Sequence, residues 1–85
     1  MMKTNAESYA DAMLSNDSAK QARYKNEFKE YAVDANQKTK TVTFSSTGNN
    51  EKFTLIYSPN ENSGWISYGQ TGAKRIQEKW YLLVQ

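Results

Sequence analysis

Two glycines and two cations stand close together in the stretch G-Q-T-G-A-K-R, from Gly69 to Arg75. Glycine-containing turns followed by a cation can hold phosphate groups. A nucleotide-hydrolysing phosphate loop has glycine, four further residues, and then glycine, lysine and serine or threonine. Here only Gln70 and Thr71 separate the glycines, and Arg75 follows Lys74, which excludes that class of site.

A looser phosphate site is compatible with the same residues. If a helix begins at Ala73, its first backbone amides are free and the positive end of its dipole lies beside Lys74 and Arg75. Such a helix start can bind one phosphate of a nucleic acid. The alternative is that the glycines only form a turn and that both cations are simply exposed.

Other basic residues are concentrated in the middle of the chain, although eleven Lys and Arg against nine Asp and Glu leave a net charge of only +2. Segment 18–40 contains Lys20, Arg23, Lys25, Lys29, Lys38 and Lys40. The cations that we expect to contact nucleic-acid phosphates are Lys74, Arg75, Lys79, Lys25, Lys29, Lys20, Arg23 and Lys52. Pairing with Glu27, Glu30 and Asp34 on a solvated surface is the alternative for the lysines of the middle segment.

The composition excludes several kinds of chemistry. The 85 residues include no cysteine and no histidine, so disulfides, thiolate or imidazole metal sites and histidine-activated nucleophiles are excluded. A domain of this size also has a small core and little room for an extended cleft. We therefore expect a binding protein rather than an enzyme, with no cofactor and no metal. Because no long apolar stretch is present, we expect a cytoplasmic protein without a membrane partner.

Helical spacing is found in the first part of the chain. Residues 5–14 place Ala6, Tyr9, Ala10, Met13 and Leu14 on one face, which predicts a short N-terminal helix. We divide the chain into a helical extension, 1–17, and one small α+β domain, 18–85. Asp17 or Ser18 is expected to cap a second, amphipathic helix from about Ala19 to Ala35. Its apolar stripe consists of Tyr24, Phe28, Tyr31, Ala32 and Ala35.

Alternation with a period of two follows this helix. Residues 38–45 and 52–58, joined by the turn 47–50, predict a β-hairpin, and residues 64–69 predict a third strand. The last segment, 73–85, fits either a helix or a strand. Its first half is rich in helix formers, which favours the helix. The expected fold is thus α+β with a three-stranded antiparallel sheet and a C-terminal helix, or a fourth strand in place of that helix.

Aromatic residues on the predicted strands have two interpretations. Phe53, Tyr57, Trp65 and Tyr68 can stack on nucleic-acid bases or fill the core. The chain has few leucines to supply buried area, which favours the core.

The order of elements resembles the double-stranded RNA-binding domain. The similar segments are F-K-E-Y (28–31), K-F-T-L-I-Y (52–57) and G-Q-T-G-A-K-R (69–75). The resemblance implies that Lys74 and Arg75 meet phosphates across the major groove and that Lys25 and Lys29 approach the minor groove. In this chain the third basic position of the family's lysine cluster is Glu78.

These observations lead to three functional hypotheses. The first is a small protein that binds structured RNA through backbone phosphates. Size and composition also resemble those of bacteriophage accessory proteins, which implies an inhibitor of a host ribonuclease toxin or defence system. The second hypothesis is such an inhibitor, or an adaptor, acting by direct protein contact without RNA. The third is a structural role as a homodimer.

Overall fold

The computed structural model describes residues 5–84, which form two α-helices, a single 3₁₀ turn and six β-strands. The elements are α1 (Ala6–Leu14), α2 (Ser18–Lys25), the 3₁₀ turn (Asn26–Phe28), β1 (Tyr31–Asn36), β2 (Thr41–Ser46), β3 (Lys52–Tyr57), β4 (Trp65–Tyr68), β5 (Thr71–Gln77) and β6 (Trp80–Val84). The strands form one antiparallel sheet in the order β1-β2-β3-β6-β5-β4. Two three-stranded meanders are therefore joined where β3 pairs with β6.

The N-terminal helix is confirmed, and the second helix is shorter than predicted. Asp17 caps α2 by accepting a hydrogen bond from the Lys20 amide at 3.0 Å. The prediction of a helix as far as Ala35 is wrong, because Tyr31–Asn36 pairs with β2 as an edge strand. Residues four apart share a face in a helix and also share a side of a strand. The spacing of Tyr31 and Ala35 therefore could not distinguish the two structures.

The predicted C-terminal helix is also wrong, since residues 71–84 form β5 and β6 around a turn at Glu78 and Lys79. The fourth-strand alternative had the right type of element, but this segment supplies two strands. The hairpin of β2 and β3 is present as predicted. The predicted third strand, β4, pairs with β5 at the far edge of a six-stranded sheet that was expected to have three strands.

Helix α1 packs on one face of the sheet and completes the larger core. The buried residues of this cluster are Ala6, Tyr9, Ala10, Phe28, Val42, Phe44, Leu55 and Trp80. Stacked rings run through it: Tyr9 lies 5.1 Å from Phe28, and Phe44 lies 4.7 Å from Phe53, between ring centroids. Such pairs add stability beyond the area that they bury.

A smaller cluster lies on the other face, around Ile56, Ala73 and Tyr81. Because Trp80 and Tyr81 are neighbours in a strand, their side chains point to opposite faces, and each is buried in a different cluster. The hydroxyl of Tyr81 donates a hydrogen bond to the carbonyl of Ser63 at 2.7 Å, which ties the loop between β3 and β4 to the sheet.

Replacing Glu78 by glycine tests the hairpin against the expected helix. Glu78 has a φ of 41°, in a region that glycine adopts without the steric cost borne by other residues. We expect Glu78→Gly to raise the free energy of unfolding by about 0.5–1 kcal/mol, measured by urea denaturation. Glu78→Ala removes the same charge without relieving the backbone and should give no gain. A helix at this position would reverse the order of the two variants.

Tyr31 gives the fold a dependence on alkaline pH. Its hydroxyl donates a hydrogen bond to the carboxylate of Glu51, and this bond, together with burial, raises the pKa of Tyr31 to about 12. The folded protein thus keeps a proton that the unfolded chain releases near pH 10. This contribution to stability is fully present below about pH 10 and is lost as the pH rises from about 10 to about 12.

Comparing the stability of Tyr31→Phe with that of the wild type tests this pH dependence. We expect the wild type to be the more stable protein near neutral pH, and the difference to shrink as the pH rises above about 10. Urea denaturation of both proteins across that range measures the difference. A difference that stays constant would show that the proton of Tyr31 is not linked to folding.

Candidate nucleic-acid interface

Lys74 and Arg75 lie in the second half of β5 and are both exposed. Because successive residues of a strand point to opposite faces of the sheet, the two cations diverge. The interpretation that they form a clamp at a helix start is therefore wrong. The two glycines beside them have separate structural roles. Gly69 has a φ of 60° in the two-residue turn between β4 and β5, while Gly72 is buried.

Arg75 and Lys79 share one pocket at the end of the sheet where β5 turns into β6. The pocket has a volume of about 300 Å³ and is also lined by Pro59, Glu61, Asn62 and Glu78. Backbone hydrogen bonds fix both cationic residues: the Arg75 amide donates to the Gly64 carbonyl, and the Ser58 amide donates to the Lys79 carbonyl, each at 2.9 Å.

Lys40 approaches the same end of the sheet from the turn between β1 and β2. Its carbonyl accepts a hydrogen bond of 2.9 Å from the amide of Tyr57, the residue before Ser58. The backbones of Lys40 and Lys79 therefore flank the end of β3 on its two sides, about 10 Å apart, which is two strand spacings. We call the exposed cations Lys40, Arg75 and Lys79 the turn surface.

The sequence prediction included Arg75 and Lys79 but omitted Lys40. The side chain of Asn36 stabilises the turn before Lys40 by accepting hydrogen bonds from the amides of Lys38 and Thr39, at 3.0 and 3.1 Å. Asparagine at this position is a recognisable turn signal. This signal did not lead to the site, because the sequence predicted a helix as far as Ala35, where the structure has β1. A turn between two strands was therefore not expected at Lys40.

The other predicted cations lie elsewhere. Lys20 donates to Asp11 at 2.8 Å, and this hydrogen bond is the main cause that raises the pKa of Lys20 above its ordinary value. Arg23, Lys25 and Lys29 are exposed on α2 and just after the 3₁₀ turn. Lys52 begins β3 at the opposite end of the sheet. The eight predicted residues thus do not form one continuous site.

Charge pairing leaves the turn surface available for an anion. Within residues 5–84 the one ion pair closer than 4.0 Å joins Lys20 to Asp11. Lys40, Arg75 and Lys79 accordingly have no carboxylate partner at that distance in this part of the chain, although Glu61 and Glu78 line the shared pocket. Among the described residues, these three side chains have no ion pair that an arriving phosphate would have to displace.

Trp65 is the exposed aromatic residue of the site. Trp65 is 52% exposed, whereas Trp80 is 7% exposed. A β-carbon added to Gly72 would lie 2.4–2.6 Å from three indole atoms of Trp65, so the ring must rest directly on the Gly72 backbone. Lys74 is the cross-strand partner of Trp65 and lies on the same face. We call Trp65, Gly72 and Lys74 the indole patch.

The remaining aromatic candidates for base stacking are at least partly buried. Phe53 and Tyr57 pack against the larger core, and Tyr68 packs against the smaller one. Neither helix within residues 5–84 combines the length and the apolar character that crossing a membrane requires.

Fluorescence quenching tests the different exposure of the two tryptophans. Acrylamide should quench a large part of the wild-type emission, because Trp65 is half exposed. In Trp65→Phe only the buried Trp80 emits, so the emission should shift to shorter wavelength and resist the quencher. Unchanged quenching in this variant would contradict the exposed position of Trp65.

The chain matches no protein-family model, no curated protein and no solved structure. The resemblance to the double-stranded RNA-binding domain stays a prediction, and β5 and β6 occupy the place where that resemblance implied a helix. What the protein binds has to follow from the turn surface and the indole patch themselves.

Proposed function

We propose that the protein binds structured RNA through backbone phosphates that contact the turn surface. The observation that supports this proposal is the arrangement of Lys40 and Lys79, held on either side of the end of β3 by backbone hydrogen bonds to Tyr57 and Ser58. With Arg75, they gather three exposed positive charges at one end of the sheet. Cations fixed on short turns meet the phosphates of a folded RNA without rearranging the sheet.

Electrostatics favour an extended anion over a small one at this surface. The three cations come from two different turns and one strand, so no single compact pocket encloses them. A polyphosphate backbone can contact all three at once and release a condensed counterion for each contact. Glu61 and Glu78 line the pocket of Arg75 and Lys79 and repel the phosphates of the RNA. We therefore expect a modest affinity that depends strongly on salt concentration.

Charge reversal at the turn surface tests the proposal. The triple variant Lys40→Glu, Arg75→Glu, Lys79→Glu should lose most RNA binding at low salt. For the wild type, three phosphate contacts predict a slope of about −2 in log affinity against log salt concentration if the contacted RNA is single-stranded, and a steeper slope for a duplex. Fluorescence anisotropy with a labelled RNA hairpin, between about 50 and about 200 mM salt, measures both quantities.

A matched control variant has the same net charge as the triple variant, but its three reversed cations lie elsewhere on the protein. Lys25→Glu, Lys29→Glu, Lys52→Glu reverses three exposed cations outside the turn surface. We expect this control to weaken binding much less than the first variant and to keep most of the salt dependence. Equal losses in the two variants would mean that binding is diffuse over the whole surface.

Two further results would count against the proposal. A DNA hairpin of the same sequence that binds as tightly as the RNA would show recognition of phosphate alone. No binding of the wild-type protein to RNA at about 50 mM salt would leave direct contact with another protein and a structural role as a homodimer as the remaining hypotheses.

A further inference from the structure

The indole of Trp65 is fixed in place before any ligand arrives. One side of the ring rests on the backbone of Gly72, at a distance that leaves no room for a β-carbon. The rest of the side chain, about half of its surface, faces solvent. A ring held in this way loses little conformational freedom when a second flat group stacks on it.

The sheet positions around the indole include one cation, Lys74. Alternation along β4, β5 and β6 places one set of side chains on the same face as Trp65. That set includes Trp65, Ser67, Gly72, Lys74, Trp80, Leu82 and Val84, among which Lys74 is the charged residue. Since Lys74 is exposed and lies directly across from Trp65, a group stacked on the ring has a cation beside it.

The indole patch also adjoins the turn surface. Trp65 begins β4 at the end of the sheet that carries the turns of Lys40 and Lys79, because β4 runs antiparallel to β5. The carbonyl of Gly64, the residue before Trp65, accepts the hydrogen bond of the Arg75 amide. Arg75 points to the face opposite Trp65, which shares its face with Lys74. An RNA strand that contacts both Arg75 and the indole therefore passes around this end of the sheet.

We propose that the indole patch binds an unpaired base of the RNA, which stacks on the exposed side of Trp65 while Lys74 contacts its phosphate. This inference rests on the proposed function and adds the part of the RNA that is recognised. Bases inside a duplex are stacked on their neighbours and cannot reach a ring on a sheet surface, whereas bases in loops, bulges and ends can. The protein thus selects structured RNA that carries an unpaired segment.

Three RNA probes separate stacking from phosphate contact. They are a hairpin with a single-stranded loop, the same hairpin with abasic sites in the loop, and a fully paired duplex of equal nucleotide number. Trp65→Ala should weaken binding of the first probe by about 5- to 150-fold, the range that base stacking supplies, and should leave the other two nearly unchanged. Titration of the wild type with the first probe should also quench its tryptophan emission.

Three further variants test whether the indole must rest on Gly72 to bind a base. Gly72→Ala keeps the indole and the charge but lifts the ring from the strand, so it should weaken loop binding as Trp65→Ala does. Ser67→Ala changes an exposed residue on the same strand and face as Trp65 and should have no effect. Thermal unfolding of each variant shows whether the fold is kept, and Trp65→Phe, which retains a smaller ring, should recover part of the affinity.

The outcomes distinguish this inference from the proposed function. If Trp65→Ala binds the loop hairpin as tightly as the wild type, the proposal of base stacking is wrong, while the proposal of phosphate binding by the turn surface is unaffected. An equal loss on all three probes also overturns it, since stacking requires a base. Wild-type protein that binds none of the probes overturns both proposals. A last outcome is that Trp65→Ala keeps its RNA affinity but no longer captures a protein that the wild type captures from nuclease-treated extract. That outcome overturns base stacking and assigns the indole to a protein contact.

Discussion

The sheet depends on a short pairing at its centre. Strands β3 and β6 are joined through three residue pairs: Leu55 with Leu82, Ile56 with Tyr81, and Tyr57 with Trp80. Both apolar clusters meet at this pairing, because Leu55 and Trp80 belong to the larger one and Ile56 and Tyr81 to the smaller one. Without it each cluster would be divided between the two meanders, and the turns of Lys40 and Lys79 would no longer lie on either side of β3.

Local patterns in the sequence predicted the elements that depend on local contacts. The hairpin of β2 and β3 was predicted correctly, because its alternation and its turn residues lie within one continuous stretch. A cap at Asp17 or Ser18 was predicted for the same reason, and Asp17 forms it. In both cases the residues that decide the structure are neighbours in the chain.

Elements that depend on distant partners were not predicted. β5 contains Ala73, Lys74, Arg75 and Gln77, all of which are compatible with a helix, and it becomes a strand because β6 and β4 pair with its two sides. β6 lies at the centre of the sheet, where tryptophan, tyrosine and valine are favoured. That position is set by β3, more than twenty residues earlier in the chain. The turn surface was missed in part for the same reason, since only the sheet order brings Lys40 near Lys79.

The two edge strands of the sheet, β1 and β4, affect how copies of the chain behave at high concentration. Among residues 5–84, β1 and β4 each have one side without a strand partner. Strand β4 has only four residues and offers little backbone to a second sheet. Strand β1 carries the exposed Asp34 near its middle, so two such edges that met in antiparallel alignment would bring like charges together. Both edges therefore disfavour the strand-by-strand growth through which open sheets aggregate.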